Sequence, residues 1–275
     1  MGTLYVVATP IGNLEDVSLR ALRVLSEVAL VAAEDTRTAG VFLRHHGLHP
    51  RLVSYTDHNK AERIPHILQR LEDAGVALVS DAGTPAISDP GVELVAAARD
   101  AGHQVVALPG PSAVIAALSV AGLRCNDFRF VGFLPRTTGE LTRLLEDASN
   151  RPQTLVAFEA PGRLRRSLAA IDAALPQRRI AVCRELTKLH EETFVGTAAE
   201  ALAHFAAPRG EIVLIIEGGD AEAPQGDEAA AIEEIAEMRR LGLSRAQAQP
   251  LIERRYKINR RRFYGLWIEP PRAPR

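Results

Sequence analysis

The sequence predicts an open α/β fold of two lobes followed by a small basic helical module, and three observations predict it. Short β-branched runs alternate with stretches of helical period, the signature of a largely parallel sheet covered by helices. The texture changes after Gly122 and the alternation then resumes. From Gly218 to Gly226, a segment rich in Gly, Pro, Ala and acid (GGDAEAPQG) separates everything before it from an arginine-rich end. A chain of 275 residues that is 47% apolar has material for two cores rather than one.

In chain order, strands are expected at residues 4–8, 28–33, 76–80 and 104–108, with helices at 16–27 and 91–101 between them. In the first helix Val17, Ala21, Leu22, Leu25 and Val28 fall on one apolar stripe that should lie on the sheet. Asp16 or Ser18 can cap its start by offering an oxygen to the free N–H groups of the first turn. The lobe boundary is placed near Leu123, so that residues 1–123 form the first lobe and 124–218 the second. The second lobe carries strands at 154–158, 180–184 and 211–217 and helices near 138–148, 162–175 and 198–207, which predicts a mixed sheet. Residues 219–226 read as a linker.

The remainder, 227–275, reads as a separate helical module. One helix ends near Leu241, Gly242 can terminate it, Ser244 can cap a second helix at 245–256, and Asn259 can cap a third. This spacing is that of a helix-turn-helix, a pattern also common in purely structural helical trios.

The net charge of −1 argues against a surface coated in positive charge for indiscriminate nucleic-acid binding. The average hides a split: residues 211–238 contain acids but neither Lys nor Arg, whereas Arg254, Arg255, Lys257, Arg260, Arg261 and Arg262 crowd the end. Such asymmetry fits either a localised contact with a polyanion or a solvated helix face. Cys125 and Cys183 form no C-x-x-C pair and no Cys/His cluster, which implies a reducing compartment and no structural metal. His45, His46 and His49 lack partnering acids at ligand spacing. No signal peptide and no membrane-length apolar run is recognisable, so a cytoplasmic protein is expected.

In open α/β sheets ligands bind beyond the carboxyl ends of the strands. Three such ends carry unusual loops: Thr9-Pro10-Ile11-Gly12-Asn13, Asp81-Ala82-Gly83-Thr84-Pro85 and Pro109-Gly110-Pro111-Ser112-Ala113. Gly, Pro and small hydroxyl residues let a ligand approach the backbone closely and leave N–H and C=O groups free for it. Neither a phosphate loop nor a dinucleotide fingerprint is present, which disfavours a nucleoside triphosphate or NAD. Asp81 can accept a hydrogen bond from a ligand hydroxyl or amine, or cap its own loop.

These motifs resemble a family. Residues 8–14 (ATPIGNL), 33–37 (AEDTR), 57–59 (DHN), 80–85 (SDAGTP) and 108–113 (LPGPSA) are similar to the bacterial small-subunit ribosomal RNA methyltransferases that act on a cytidine 2′-O position. Those enzymes are a branch of the tetrapyrrole methylase-like, or class III, S-adenosylmethionine methyltransferases. The similarity continues through Phe158-Glu159, residues 184–188 (RELTK) and 210–214 (GEIVL), and so covers nearly all of residues 1–217. It implies two α/β lobes with S-adenosylmethionine in the cleft between them, a homodimer, and 16S ribosomal RNA of the small subunit, at the decoding region, as substrate. Carried over residue by residue, it implies a cofactor pocket of Pro10, Ile11, Gly12, Asp81, Ala82, Gly83, Thr84, Pro85, Ser112, Ala113, Phe158, Glu159, Leu186 and Gly210. The loop at 9–13 is less glycine-rich than in the tetrapyrrole enzymes, which favours the RNA branch.

Arg37, His58 and Lys188 are candidates for orienting the RNA, and Glu185, His58 and Asp35 are alternative bases for a ribose hydroxyl. The six basic residues at 254–262 are candidate RNA contacts. A tetrapyrrole-precursor methyltransferase would have no use for the basic module, and a non-catalytic RNA-binding protein would leave the three strand-end loops without purpose.

Overall fold

Two five-stranded sheets organise the computed structural model, which describes residues 2–149, 151–219, 228–256, 258 and 260–268. The first sheet is wholly parallel: β1 (Thr3–Val7), β2 (Leu30–Ala33), β3 (Leu52–Ser54), β4 (Val76–Val79) and β5 (Gln104–Leu108) lie in the order β3-β2-β4-β1-β5. Every residue of β2 and β4 is buried, as expected of central parallel strands covered on both faces. Alternate residues feed opposite cores. Val31, Ala33, Ala77 and Val79 meet α1 (Leu19–Glu27) and α2 (Thr36–His45). Leu30, Ala32, Val76 and Leu78 meet α3 (Lys60–Asp73) and α4 (Val92–Asp100).

Of the two candidate caps for the first helix, Ser18 does the work, its Oγ accepting the Ala21 N–H at 3.1 Å. Asp16 instead closes a 3-10 turn at Leu14–Asp16, so the helix starts at Leu19 rather than residue 16. The second strand likewise starts at Leu30, because Val28 is the C-cap of α1.

After α5 (Ala113–Val120) the second sheet begins, with β6 (Phe128–Phe133), β7 (Thr154–Glu159), β8 (Ile180–Arg184), β9 (Glu192–Gly196) and β10 (Ile212–Ile216) in the order β6-β7-β10-β8-β9. Only β6 and β7 are parallel, so the sheet is mixed. One face packs on α6 (Thr138–Ser149), α7 (Pro161–Ala174) and α8 (Ala198–His204) through Leu145, Leu164, Leu168, Ile171 and Ala201. The other face receives α5, whose Val114, Ala117 and Leu118 pack on Val156, Ala181, Val213 and Ile215. A capping box fixes the start of α8: Thr197 Oγ1 accepts the Glu200 N–H, and the Glu200 carboxylate accepts the Thr197 N–H.

By compactness the chain divides into two units, Met1–Ser149 with Gln153–Glu217, and Asn150–Pro152 with Gly218–Arg275. Both sheets belong to the first. The second contains α9 (Glu228–Arg240), α10 (Arg245–Tyr256) and α11 (Arg260–Ile268), packed around Ile235, Ala248, Ile252, Ile258, Phe263 and Leu266. Gly242, at φ 79°, turns the chain after α9. The Gln247 side chain reaches back to accept the Ser244 N–H at 2.9 Å. Most of the linker (220–226), the cap expected at Asn259, and Lys257 lie outside the described residues.

Leu168 is fully buried in the second-lobe core, whereas Leu189 is almost wholly exposed. Chemical denaturation should therefore show Leu168→Ala destabilised by about 3 kcal/mol, and Leu189→Ala within about 0.5 kcal/mol of the parent.

Candidate functional site

The three loops after β1, β4 and β5 are tied to one another by hydrogen bonds. Thr9 and Gly83 exchange N–H···O bonds of 2.9 Å in both directions, and the Thr9 hydroxyl donates to the Ser80 carbonyl at 3.2 Å. Thr84 in turn donates to the Pro111 carbonyl at 3.2 Å. Two glycines permit this: Gly83 holds a φ of 78°, and a Cβ on Gly110 would sit only 3.0 Å from that of Ala8. The first loop is joined to the loop after β8 by an Asn13 N–H···Oγ1 Thr187 bond of 3.0 Å.

Together these loops and the second sheet enclose a cleft of about 380 Å³, within the range of small-molecule sites. Of the residues expected at the cofactor, Ile11, Ala82, Thr84, Ser112 and Ala113 line it from the first lobe, and Phe158, Glu159, Leu186 and Gly210 from the second. The others do not line it. Pro10, Gly83 and Pro85 are buried supports beneath the loops. Gly12 makes room for Lys188, whose Cγ would lie 2.4 Å from any Cβ placed there. Asp81 acts as a brace, its carboxylate accepting the Asp35 N–H at 3.0 Å and so linking the ends of β4 and β2.

Glu159 reaches the wall of the cleft with both carboxylate oxygens already engaged. Its side chain is fully buried, accepts the Ala160 N–H at 2.7 Å and the Ser167 hydroxyl, and pairs with Arg163 at 2.5 Å. A carboxylate at that point complements the positive end of α7. Next to it, Phe158 packs edge-on against Phe130 and Phe133, with centroids 5.0 and 5.6 Å away. Phe133 also lines the cleft, as do Ile87, Ser88, Asp89 and Cys183, none of which the motifs point to.

Backbone strain gathers at the rim. Among the described residues, the non-glycine positions with positive φ are Ala86 (68°), Ser88 (63°), Glu185 (51°) and Thr187 (68°). All four belong to two loops that contribute cleft residues. Such conformations cost on the order of 1 kcal/mol or more each and persist where the surroundings enforce them, commonly at ligand sites.

The three candidate catalytic side chains lie outside this lining. Arg37 is exposed and paired with Asp35 at 2.7 Å. The Arg37 guanidinium, helped by its own N–H, holds the Asp35 carboxyl down at about 2, so Asp35 is a capped and ion-paired group rather than a base. His58 is exposed on the turn before α3. Glu185 receives the Glu211 N–H at 2.8 Å and Lys188 Nζ at 2.9 Å; the first and then the second holds its carboxyl below the usual range. A carboxylate so stabilised is a weak proton acceptor. Lys188 also reaches Glu211 at 2.8 Å; burial opposes its charge, but the two carboxylates together raise its pKa.

Asp89 is perturbed the other way. Burial pushes its carboxyl up, the charge of Asp81 adds to this, and a hydrogen bond from Ser80 opposes it. Glu34 is raised too, by burial first and then by Asp89 and Asp81. Among the described residues no group of three His, Cys, Asp or Glu could hold a metal, and no helix is long and apolar enough to cross a membrane.

Comparison with known proteins adds an independent line. The chain matches the family of Tetrapyrrole (Corrin/Porphyrin) Methylases over residues 3–202. It is 42% identical over 274 residues to the ribosomal RNA small subunit methyltransferase I of Synechocystis sp., covering 98% of both chains. It is 46% identical over 220 residues to the protein of the same name from Halalkalibacterium halodurans, covering 79% of this chain and 76% of that one. The uroporphyrin-III C-methyltransferase of Thermus thermophilus, solved with S-adenyl homocysteine, shares the fold with a TM-score of 0.55 at 19% identity, over 78% of this chain and 97% of that one.

A carboxyl whose folded-state pKa is raised favours folding in its protonated form; that contribution is complete below the unfolded value and is lost as pH rises through the folded one. Asp89→Asn keeps the neutral shape and removes the loss. Its stability relative to the parent should therefore grow as pH rises from about 4, near the unfolded aspartate value, towards 7. Urea midpoints for both proteins across that range test this, and a pH-independent difference would contradict it.

Proposed function

This chain belongs to the tetrapyrrole (corrin/porphyrin) methylases and, within them, to the ribosomal RNA small subunit methyltransferase I family, and on that premise we propose that it methylates 16S ribosomal RNA. The reaction is S-adenosylmethionine-dependent transfer to the 2′-hydroxyl of a cytidine in the decoding region of the small subunit. The observation that carries this reading is the cleft: three interlocked strand-end loops on one side, an apolar sheet face on the other, and few polar groups between.

The lining fits this cofactor. Ile11, Phe158 and Val213 offer apolar walls for a flat ring system, while the Ser112 hydroxyl and the Asp89 carboxyl offer partners for hydroxyl and amino groups. Bound there, S-adenosylmethionine supplies a methyl group on a cationic sulfur for in-line displacement by an oxygen. The residues of the chain contribute position and dryness: Leu186, Phe158 and Val213 exclude water, and the strained loops at 86–88 and 185–187 hold the cleft walls apart at a set distance. Glu185 and Lys188 work as an ion-paired unit that fixes the second of these loops, and the RNA is oriented from outside the cleft by the exposed Arg37 and His58.

RNA rather than a tetrapyrrole is supported by the names of relatives matched at above 40% identity, whereas the tetrapyrrole enzyme is alike in fold only. Within the proposal the basic helical module docks the RNA, the enzyme works in the cytoplasm, and it is a homodimer. The dimer is supported by α5, which exposes Ile115 and Val120 on the side turned away from the second sheet.

Calorimetry should detect S-adenosylmethionine binding by the full chain, and labelled methyl should pass to 2′-oxygens of isolated small subunits. Ala113→Trp fills the cleft and should weaken cofactor binding more than tenfold; unchanged affinity in a folded variant would remove the cleft from the mechanism. Light scattering should report a dimer for the parent and a monomer for Ile115→Glu, and a parent monomer at micromolar concentration would refute the dimer.

A further inference from the structure

We propose that α10 and α11 of the basic module form a binding site for one nucleotide unit of single-stranded RNA, in which Arg245 and Arg260 hold the phosphate and Tyr264 stacks on the base. The inference rests on the reading of the chain as an RNA-modifying enzyme and assigns the capture of the strand to particular side chains.

A cavity of about 510 Å³ lies within the module, lined by Arg245, Gln249, Arg260 and Tyr264. Its chemistry is that of a nucleotide. The Arg245 guanidinium lies 5.1 Å from the centroid of the Tyr264 ring, and half of Tyr264 is exposed. A guanidinium stacked on an aromatic face keeps its planar fork of donors free, the geometry that matches a phosphate. Gln249 donates its amide N–H to Glu253 at 2.8 Å, which leaves its carbonyl oxygen as an acceptor for a base amine.

Among the described residues the charges at this cavity, on Arg245 and Arg260, have no ion-pair partner. By contrast Arg240 is paired with Glu237 at 2.8 Å and Arg255 with Glu234 at 2.6 Å. Arg245 and Arg260 are moreover the first residues of α10 and α11, where a cation meets the positive end of the helix and does nothing for helix stability. Two guanidiniums at one cavity, without an ion pair among the described residues, make a site that an anion stabilises.

Charge alone would suit an acidic peptide as well, but the aromatic face selects a ligand that carries a ring beside its anion. The stack is repeated. Arg239 lies 5.3 Å over Trp267, three residues beyond Tyr264 on α11, where the indole also packs on the module's core.

Fluorescence anisotropy of the full chain with a short single-stranded oligoribonucleotide, titrated against salt, tests the site. Arg245→Gln/Arg260→Gln should lower the slope of log affinity against log salt by about 0.7, the value for the one phosphate the two side chains share. Tyr264→Ala should weaken binding about fivefold or more with the slope unchanged, whereas Tyr264→Phe should bind as the parent does. Circular dichroism establishes that each variant is folded, and ultraviolet cross-linking of a 4-thiouridine oligonucleotide should label Tyr264. Unchanged affinity and slope in the double variant would overturn the proposal, as would a cross-link confined to other peptides. A polyglutamate probe that binds equally well and loses equally in the variants would reduce the site to a general anion patch and overturn the nucleotide assignment. Methyl transfer to intact subunits by a parent that does not bind the oligonucleotide would overturn this site alone, while absence of methyl transfer with binding intact would count against the enzymatic reading.

Discussion

Everything at the cleft depends on the seating of α5 against the second sheet. This short helix leaves the first sheet through the Pro109–Ser112 turn and buries Val114, Ala117, Leu118 and Ala121 among Val156, Ala181, Cys183, Val213 and Ile215. Each large apolar side chain so buried contributes about 1.5–3 kcal/mol, and the alanines let the helix backbone approach the strands closely. Ser112, Ala113 and Val114, at the start of the same helix, form part of the cleft wall. One packing contact therefore joins the lobes and sets the width of the space between them, and an interior packed at crystal-like density transmits shifts in that contact to the cleft.

The loops around the cleft answer to a second demand, that backbone groups be available to a ligand without collapsing onto each other. Reciprocal bonds between Thr9 and Gly83, and the Thr84 bond to Pro111, use part of the hydrogen-bonding capacity of the three loops to brace them. The brace continues outward through Asp81 to the Asp35 N–H. In this arrangement Glu159 serves the scaffold: its carboxylate organises the first turns of α7 through Ala160, Arg163 and Ser167.

Much of this was legible in the residues. Strands with a β-branched run and a Gly/Pro ending were recognisable, and the three loops after β1, β4 and β5 were recognised as a set. What escaped did so for physical reasons. The helix α5 is apolar on every side and shows no stripe of helical period. The strand β3 has three residues, too few for a pattern. Cys183 sits in mid-strand within a buried run, and Asp89 reaches the cleft only through the path of a long irregular loop. Charge density misleads in a similar way. Arg255 stands in the most basic stretch, yet Glu234 of α9 neutralises it across a helix pair, while Arg245, outside that stretch, has no ion pair among the described residues. Sequence clustering reports composition, and only the fold decides which charges are spent on one another.

The position of β1 has a consequence for the order in which the chain acquires structure as it is made. This strand comes first in sequence but lies inside its sheet, between β4 and β5. Its two hydrogen-bonding edges stay open until Val76–Val79 and then Gln104–Leu108 have been synthesised. Until then Thr3–Val7 is an apolar segment with unpaired backbone on both flanks, the kind of strand that associates with other chains. Parallel pairings at such separations must close long loops before any contact rewards them, and are intrinsically slow. The first lobe thus cannot begin to assemble its binding loops in sequence order: the first loop to be made, at residues 9–13, is among the last to find its partners.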